Sequence, residues 1–308
     1  MKLSLFKSLL SIFTLFILFS CSGDDHEVSL SDFIMTPNTK TANRLTSVSR
    51  SGYFENAYSW NFVYDRKNLK SATSVLENGI SGEESPMLKY SLSYGSREVK
   101  VSTSGEPVAL RVGSDGLLAS ATSGNTTFSY SFSDGRLIAW NSLYQIHGFN
   151  GMVTKGADAV FTWNEGNLTK IIYTPSTDAG NKYFIFEIDY YDNELNSNGL
   201  LPELVSEAMG CKGAEYLYYA GMLGKPTTNL VKSIKISHST DDSENASYTF
   251  HYETNMNDVT LCNYQKDNEP GGRPVIVTYG YNAVFARKGR GRNIRQYAET
   301  SRSCKFRY

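Results

Sequence analysis

Phe128-Ser129-Tyr130-Ser131-Phe132-Ser133-Asp134-Gly135-Arg136-Leu137 is the stretch whose reading decides the fold. Strand side chains alternate faces, so Phe128, Tyr130 and Phe132 share one face while Ser129, Ser131 and Ser133 share the other. Asp134-Gly135 tolerates the positive φ angles of a tight hairpin turn, and Arg136-Leu137 opens the return strand. The segment therefore reads as a β-hairpin with one apolar face and one wettable face.

The same pattern recurs on both sides of it. Trp60–Asp65 leads through Lys67-Asn68 to Leu69, and Tyr90–Tyr94 turns at Gly95-Ser96. Leu110 and Val112 precede Ser114-Asp115-Gly116-Leu117, and Val160–Asn164 turns at Glu165-Gly166. Phe184, Phe186, Ile188 and Tyr190 alternate up to Tyr191-Asp192-Asn193, and Tyr248, Phe250 and Tyr252 alternate before a turn near Asn255–Asp258. Short turns between successive strands give a meander of about fourteen to eighteen strands. So many strands curl, close or split. The expected class is all-β: an antiparallel hairpin meander curled into a partly open or closed barrel. Its alternating runs extend about five to seven residues, below the roughly nine to eleven of a membrane-spanning strand. The aromatic face is accordingly read as an interior core.

One stretch departs from the pattern. Pro202 suits a first helical turn, Gly210 a helix end, and Leu201, Leu204, Val205, Ala208 and Met209 fall on one face. With a second turn or two over Tyr216–Met222, this predicts a short helical insert near 201–222 that plugs or caps the curled sheet.

Lys2 and Lys7 followed by the apolar run Leu9–Phe19 form a secretory leader, too short for a convincing spanning helix. Leu18-Phe19-Ser20-Cys21 resembles the lipobox of bacterial lipoproteins, which makes Cys21 the lipidated first residue of the mature chain. Ser22-Gly23-Asp24-Asp25 resembles the acidic tag of surface-exposed lipoproteins of the Bacteroides group. The organisation expected is a signal peptide over 1–20, the lipidated cysteine with a polar linker over 21–42, and a single β-rich domain over 43–308.

Composition fits an exported β protein. Of 308 residues, 13% are aromatic, led by 21 tyrosines, which favour strands. Lys and Arg number 30 against 31 Asp and Glu, a balance that argues against a general nucleic-acid binder. Cys211, Cys262 and Cys304 remain after the leader; they allow at most one internal disulfide, or three buried thiols.

The repeated aromatic-Asp-Gly-Arg-Leu hairpins resemble tyrosine–aspartate repeats. The full layout of lipobox, hairpins and an insert bearing Gly221-Met222-Leu223-Gly224-Lys225 resembles the Bacteroides-type lipoproteins of unknown function with a porin-like fold. That resemblance implies a β-barrel-like fold over most of 45–308. It brings no activity and no catalytic residues.

Signatures such as G-x-S-x-G, H-E-x-x-H, G-x-G-x-x-G and the P-loop do not occur, no cofactor is expected, and the reading leans away from an enzyme. Trp60, Trp140 and Trp163 are candidate platforms for a glycan, Trp60 and Trp163 standing just before turns. Asp192, Glu194, Asn196 and Asn198 alternate oxygen ligands in a calcium-loop spacing with Glu203 at the twelfth place, although Ser197 stands where such a loop has glycine. His238 and His251 flank one acidic hairpin and form a second candidate metal site. The tail from Arg287 to Tyr308 is basic, suited to anionic glycans or lipid head groups, or to guarding a sheet edge. The expectation is an outer-membrane lipoprotein exposed at the cell surface, held to the membrane by its lipid and binding a glycan or a protein without catalysis. The alternatives are a glycan hydrolase with a carboxylate pair and a lipid or lipopolysaccharide carrier.

Overall fold

The computed structural model describes residues 44–51, 57–65, 68–77, 88–103, 108–148, 151–175, 182–255, 258–267 and 274–282. The expected leader, Cys21, the expected linker, Cys304 and the basic tail lie outside the described residues.

The first half of the meander is β1 (Arg44–Ser51), β2 (Ala57–Asp65), β3 (Asn68–Glu77), β4 (Leu88–Tyr94), β5 (Glu98–Thr103), β6 (Val108–Val112), β7 (Leu118–Ser123) and β8 (Thr126–Ser133). The second half is β9 (Arg136–Gly148), β10 (Gly151–Asn164), β11 (Asn167–Thr174), β12 (Phe184–Leu195), β13 (Asn229–His238), β14 (Ala246–Asn255), β15 (Asp258–Lys266) and β16 (Val275–Asn282). Each strand pairs antiparallel with the next, and β1 pairs with β16, so the sheet closes as a barrel. The expected all-β meander is thus a closed barrel of sixteen strands.

The turn chemistry is as the residues dictate. Asp134 and Gly135 adopt φ of 51° and 74°, and Glu165 and Gly166 adopt 48° and 86°. Both pairs make the two-residue turn with positive φ at each position, whose twist matches the strands it joins. A register shift stands just before the turn in five hairpins: at Val63/Tyr64, Arg111/Val112, Ser131/Phe132, Thr162/Trp163 and Glu253/Thr254. Such bulges bend a strand and deepen its twist, which helps a sheet close. All five lie at one end of the barrel, the turn pole. The other end is the loop pole, where the connection from β13 to β14 runs through a 3₁₀ turn at Asp242–Glu244.

Several strands are longer than their alternation implied: β9 has 13 residues, β10 has 14 and β12 has 12. Length alone therefore does not separate this barrel from a spanning one. The facing of the side chains in β8 and β4 favours an interior apolar face: Tyr130 is buried while Ser129 and Ser131 are exposed, and Leu92 is buried between exposed Ser91 and Ser93. Membrane barrels turn the apolar set outward.

A barrel this wide leaves a lumen that wall side chains cannot fill. The connection between β12 and β13 fills it. It enters at the turn pole, climbs to an apex at residues 207–214 and returns. Its regular parts are a 3₁₀ turn at Glu203–Val205 and a one-turn helix at Tyr216–Tyr219. Pro202 is extended (φ −64°, ψ 122°) and precedes the turn rather than opening a continuous helix, and Gly210 (φ 68°) reverses the chain. Val205, Ala208, Tyr216, Ala220, Met222 and Leu223 are all at most 1% exposed. Backbone bonds stitch the returning limb to the turn pole: Leu118 N–H to Met222 O (2.9 Å), Lys225 N–H to Gly135 O (2.8 Å) and Thr228 N–H to Gly166 O (3.1 Å).

Candidate functional site

The plug divides the interior into a sealed core and a shallow mouth at the loop pole. At its apex Glu207 and Lys212 pair at 2.6 Å with side chains 50% and 68% exposed, so charge is presented to water inside the rim. The Tyr173 hydroxyl donates to Glu207 Oε1 at 3.1 Å, which ties the apex to β11. Gly213, beside Lys212, has open space where a side chain would begin.

An arc of rings borders the apex. Phe128 and Trp140 lie 5.9 Å apart between centroids, Trp140 and Tyr173 6.1 Å, Tyr173 and Phe184 6.5 Å, and Phe184 and His238 4.7 Å. Trp140 reaches Tyr173 across β10 because the buried residue of β10 between them is Ala159. Phe128 and Phe184 are half-buried and offer ring surface at the mouth.

Below the apex the plug carries a buried acidic pair. Arg50 and Glu203 form an ion pair at 2.8 Å with side chains 13% and 16% exposed, and the Tyr264 hydroxyl donates to Glu203 at 3.1 Å. Glu215 is 7% exposed. Burial pushes both carboxyls above their ordinary range; Arg50 draws Glu203 back, and backbone N–H groups draw Glu215 back. The two carboxyls, Tyr58 and Trp60 border an enclosed cavity of ≈ 20 Å³. Space of that size takes about one water and no sugar ring. Two further cavities, ≈ 10 Å³ each, lie elsewhere between plug and wall.

The tryptophans expected as platforms serve the wall instead. Trp60 is 3% exposed and Trp140 4%. The Trp140 indole N–H donates to Ala208 O at 2.7 Å, holding the apex from beneath. Trp163 is half-buried near the turn pole; its N–H donates to Leu137 O at 2.7 Å, and the Arg136 guanidinium lies 5.7 Å from its ring. The rings left half-buried beside the apex are Phe128 and Phe184, while Tyr173 is buried and reaches it through its hydroxyl. Alternation marked Phe128 and Phe184 as sharing a face with their buried neighbours, but nothing local showed that the plug stops short of them.

The calcium-loop spacing does not become a cage. Asp192 and Glu194 are exposed on β12, and Glu203 is held by Arg50. Asn196 binds Leu200 N–H and O and Thr227, while Asn198 binds Asp258 and Val259 N–H. Both amides staple the plug's entry, a conformational use of Asn in turns. Among the described residues no three His, Cys, Asp or Glu groups converge as for a metal ion. His238 lies at the loop pole, 3.9 Å from Glu244, whereas His251 is exposed farther along β14 toward the turn pole, so the two do not meet. Cys211 and Cys262 are buried free thiols.

The family described as a domain of unknown function (DUF4595) with porin-like fold matches residues 89–261. The chain belongs to this family. Among solved structures, a porin-like protein from Bacteroides uniformis superposes with a TM-score of 0.60 at 12% identity, over 77% of this chain and 98% of that one. A porin-like protein from Bacteroides vulgatus gives 0.53 at 12% identity, over 78% and 99%. At this identity the likeness concerns the fold. No curated protein matches the chain.

Proposed function

We propose that the protein is a lipid-anchored, non-enzymatic glycan-binding protein of the cell envelope, with its ligand seated at the mouth of the loop pole. The observation that carries this reading is the Glu207–Lys212 pair, exposed to water among the rings of Phe128, Tyr173 and Phe184 above a filled lumen. Sugars are recognised by apolar ring faces combined with a few polar groups that accept and donate hydrogen bonds, and the mouth supplies both. The anchor is assigned to Cys21 on the lipobox resemblance, which makes the protein an outer-membrane lipoprotein with the barrel as its exposed body. The polar outer face supports a barrel that stands in water at the end of this anchor.

The other roles have less support. A carrier needs an apolar lumen, and here the plug occupies it. A hydrolase needs two carboxylates with room for sugar between them, and Glu203 and Glu215 enclose room for about one water.

The test is calorimetric titration of the mature chain with a panel of neutral, acidic and amino-sugar oligosaccharides. The expected result is binding to one class that falls at least tenfold in Phe184→Ala and in Glu207→Ala with Lys212→Ala. Failure of every glycan to bind, with a protein partner captured through the same rim, would replace the glycan by a protein. Binding unaffected by all three substitutions would remove the mouth as the site.

A further inference from the structure

The buried acidic pair has no part in the mouth, and one of its atoms is unaccounted for. Glu215 Oε1 accepts the Gly213 N–H at 3.1 Å and the Trp60 side chain also hydrogen-bonds the carboxyl, but Oε2 is fully enclosed and meets no protein donor at full hydrogen-bond geometry. A carboxylate oxygen taken out of water and left unpaired is strongly unfavourable, so such an atom in a folded core acquires a bridging water, a proton or both. The ≈ 20 Å³ cavity bordered by Glu215, Glu203 and Tyr58 is large enough for one water and has the polar partners to hold it. Charge favours the same outcome. Arg50 is bonded to Glu203, and Lys212 is bonded to Glu207 outside. The pair therefore has one buried cation for two carboxyls.

We propose that this cavity is a built site for one water molecule that bridges Glu215 Oε2 and Glu203. The unit latches the plug to the wall through Arg50 on β1, Tyr58 on β2 and Tyr264 on β15. The remaining titratable groups facing it are Tyr90 on β4, Tyr279 on β16, and Tyr219 and Cys211 on the plug itself. All of these are neutral at physiological pH; Lys212, exposed and paired with Glu207, is the one further cation that acts on Glu215, and its effect is the smallest of those that draw the carboxyl down.

The latch has a pH signature. Burial raises both carboxyls above the ordinary value of 4.5. The folded chain then binds more protons than the unfolded chain between that value and the raised one, so stability is highest at low pH and falls as pH rises through the window.

The experiment joins a crystal structure of the mature chain, at a resolution that places waters, with its melting midpoint from pH 5 to pH 8. The expected result is one density peak within hydrogen-bond reach of Glu215 Oε2, and a midpoint that falls about 3 °C further in the wild type than in Glu215→Gln. An empty cavity, a cation in place of water, or identical pH slopes would overturn the proposal. Should Glu215→Gln not fold, carboxyl NMR of the wild type decides: one proton retained by the pair above pH 5 supports the latch, and two carboxyls titrating near 4.5 refute it.

Discussion

Trp140 donates to Ala208 O at 2.7 Å, and a Cβ on Gly210 would stand 2.9 Å from its indole. One side chain thus supports the apex from below and dictates glycine above. Trp140→Phe keeps most of the ring but leaves a buried carbonyl unpaired, a cost of about 1–3 kcal/mol in urea denaturation. Gly210→Ala adds strain at positive φ to the overlap and is expected to cost at least as much in the same measurement. Cysteines behave as buried apolar residues here. Burial pushes the Cys262 thiol up to about 12 and the Cys211 thiol well above its usual range. With Cys21 and Cys304 replaced by Ser, native protein at pH 8 is expected to resist a thiol reagent and to label at both sites once unfolded. At the other end of the chain, Cys21→Ser is expected to abolish lipid labelling and to move the protein from the membrane fraction to the soluble one.

At the scale of elements, the hairpins were the most legible part of the chain, because alternation and turn chemistry are local. Asp134-Gly135 and Glu165-Gly166 look alike in sequence, yet their surroundings differ. A Cβ on Gly135 meets the flexible end of Lys225 at 3.1 Å, whereas one on Gly166 would overlap Thr228 Oγ1. Gly166→Ala is therefore expected to destabilise by more than Gly135→Ala, with both near or above about 1 kcal/mol by thermal or urea unfolding. Equal effects would mean that the returning limb of the plug does not constrain the turn. The bulges before five turns escaped the sequence reading because one extra residue does not break an alternating pattern enough to be seen without its partner strand. The helix expected over 202–210 became a 3₁₀ turn and a reversal, because the lumen rather than an open sheet face had to be filled. Tyr216–Tyr219 kept its helical turn.

For the whole molecule, the direction of the apolar face decides the environment. Among the described residues the exposed large apolar side chains are scattered over the strands, from Val63 on β2 to Ile276 on β16; Val160 (53%) and Ile172 (38%) pair across β10 and β11, and in the same strands Thr162 and Lys170 form a polar pair beside them. A lipid-facing band about 25 Å tall is a different surface. The chain from residue 21 onward with Cys21→Ser is expected to elute as a monodisperse species without detergent. It is also expected to give no conductance in planar bilayers; channel activity would show that the plug leaves. Replacing Leu201–Leu223 by a short Gly/Ser linker is expected to abolish folding, since the wall loses the partner for its apolar face.

What the sequence determined by itself was whatever depends on near neighbours along the chain. The all-β class, the hairpin meander, the inward aromatic face and the position of the insert all follow from periods of two and from residues that accept positive φ. The tertiary structure decided closure through the β1–β16 pairing, the depth of the plug, and hence the fate of each candidate side chain. Trp60 and Trp140 are inside because the lumen is filled, Asn196 and Asn198 are staples because the plug needs an anchored entry, and Glu207 and Lys212 are at a mouth because the plug stops there. Each of these depends on contacts between residues far apart in sequence, and a linear pattern carries no record of which distant strand or loop will cover a given face.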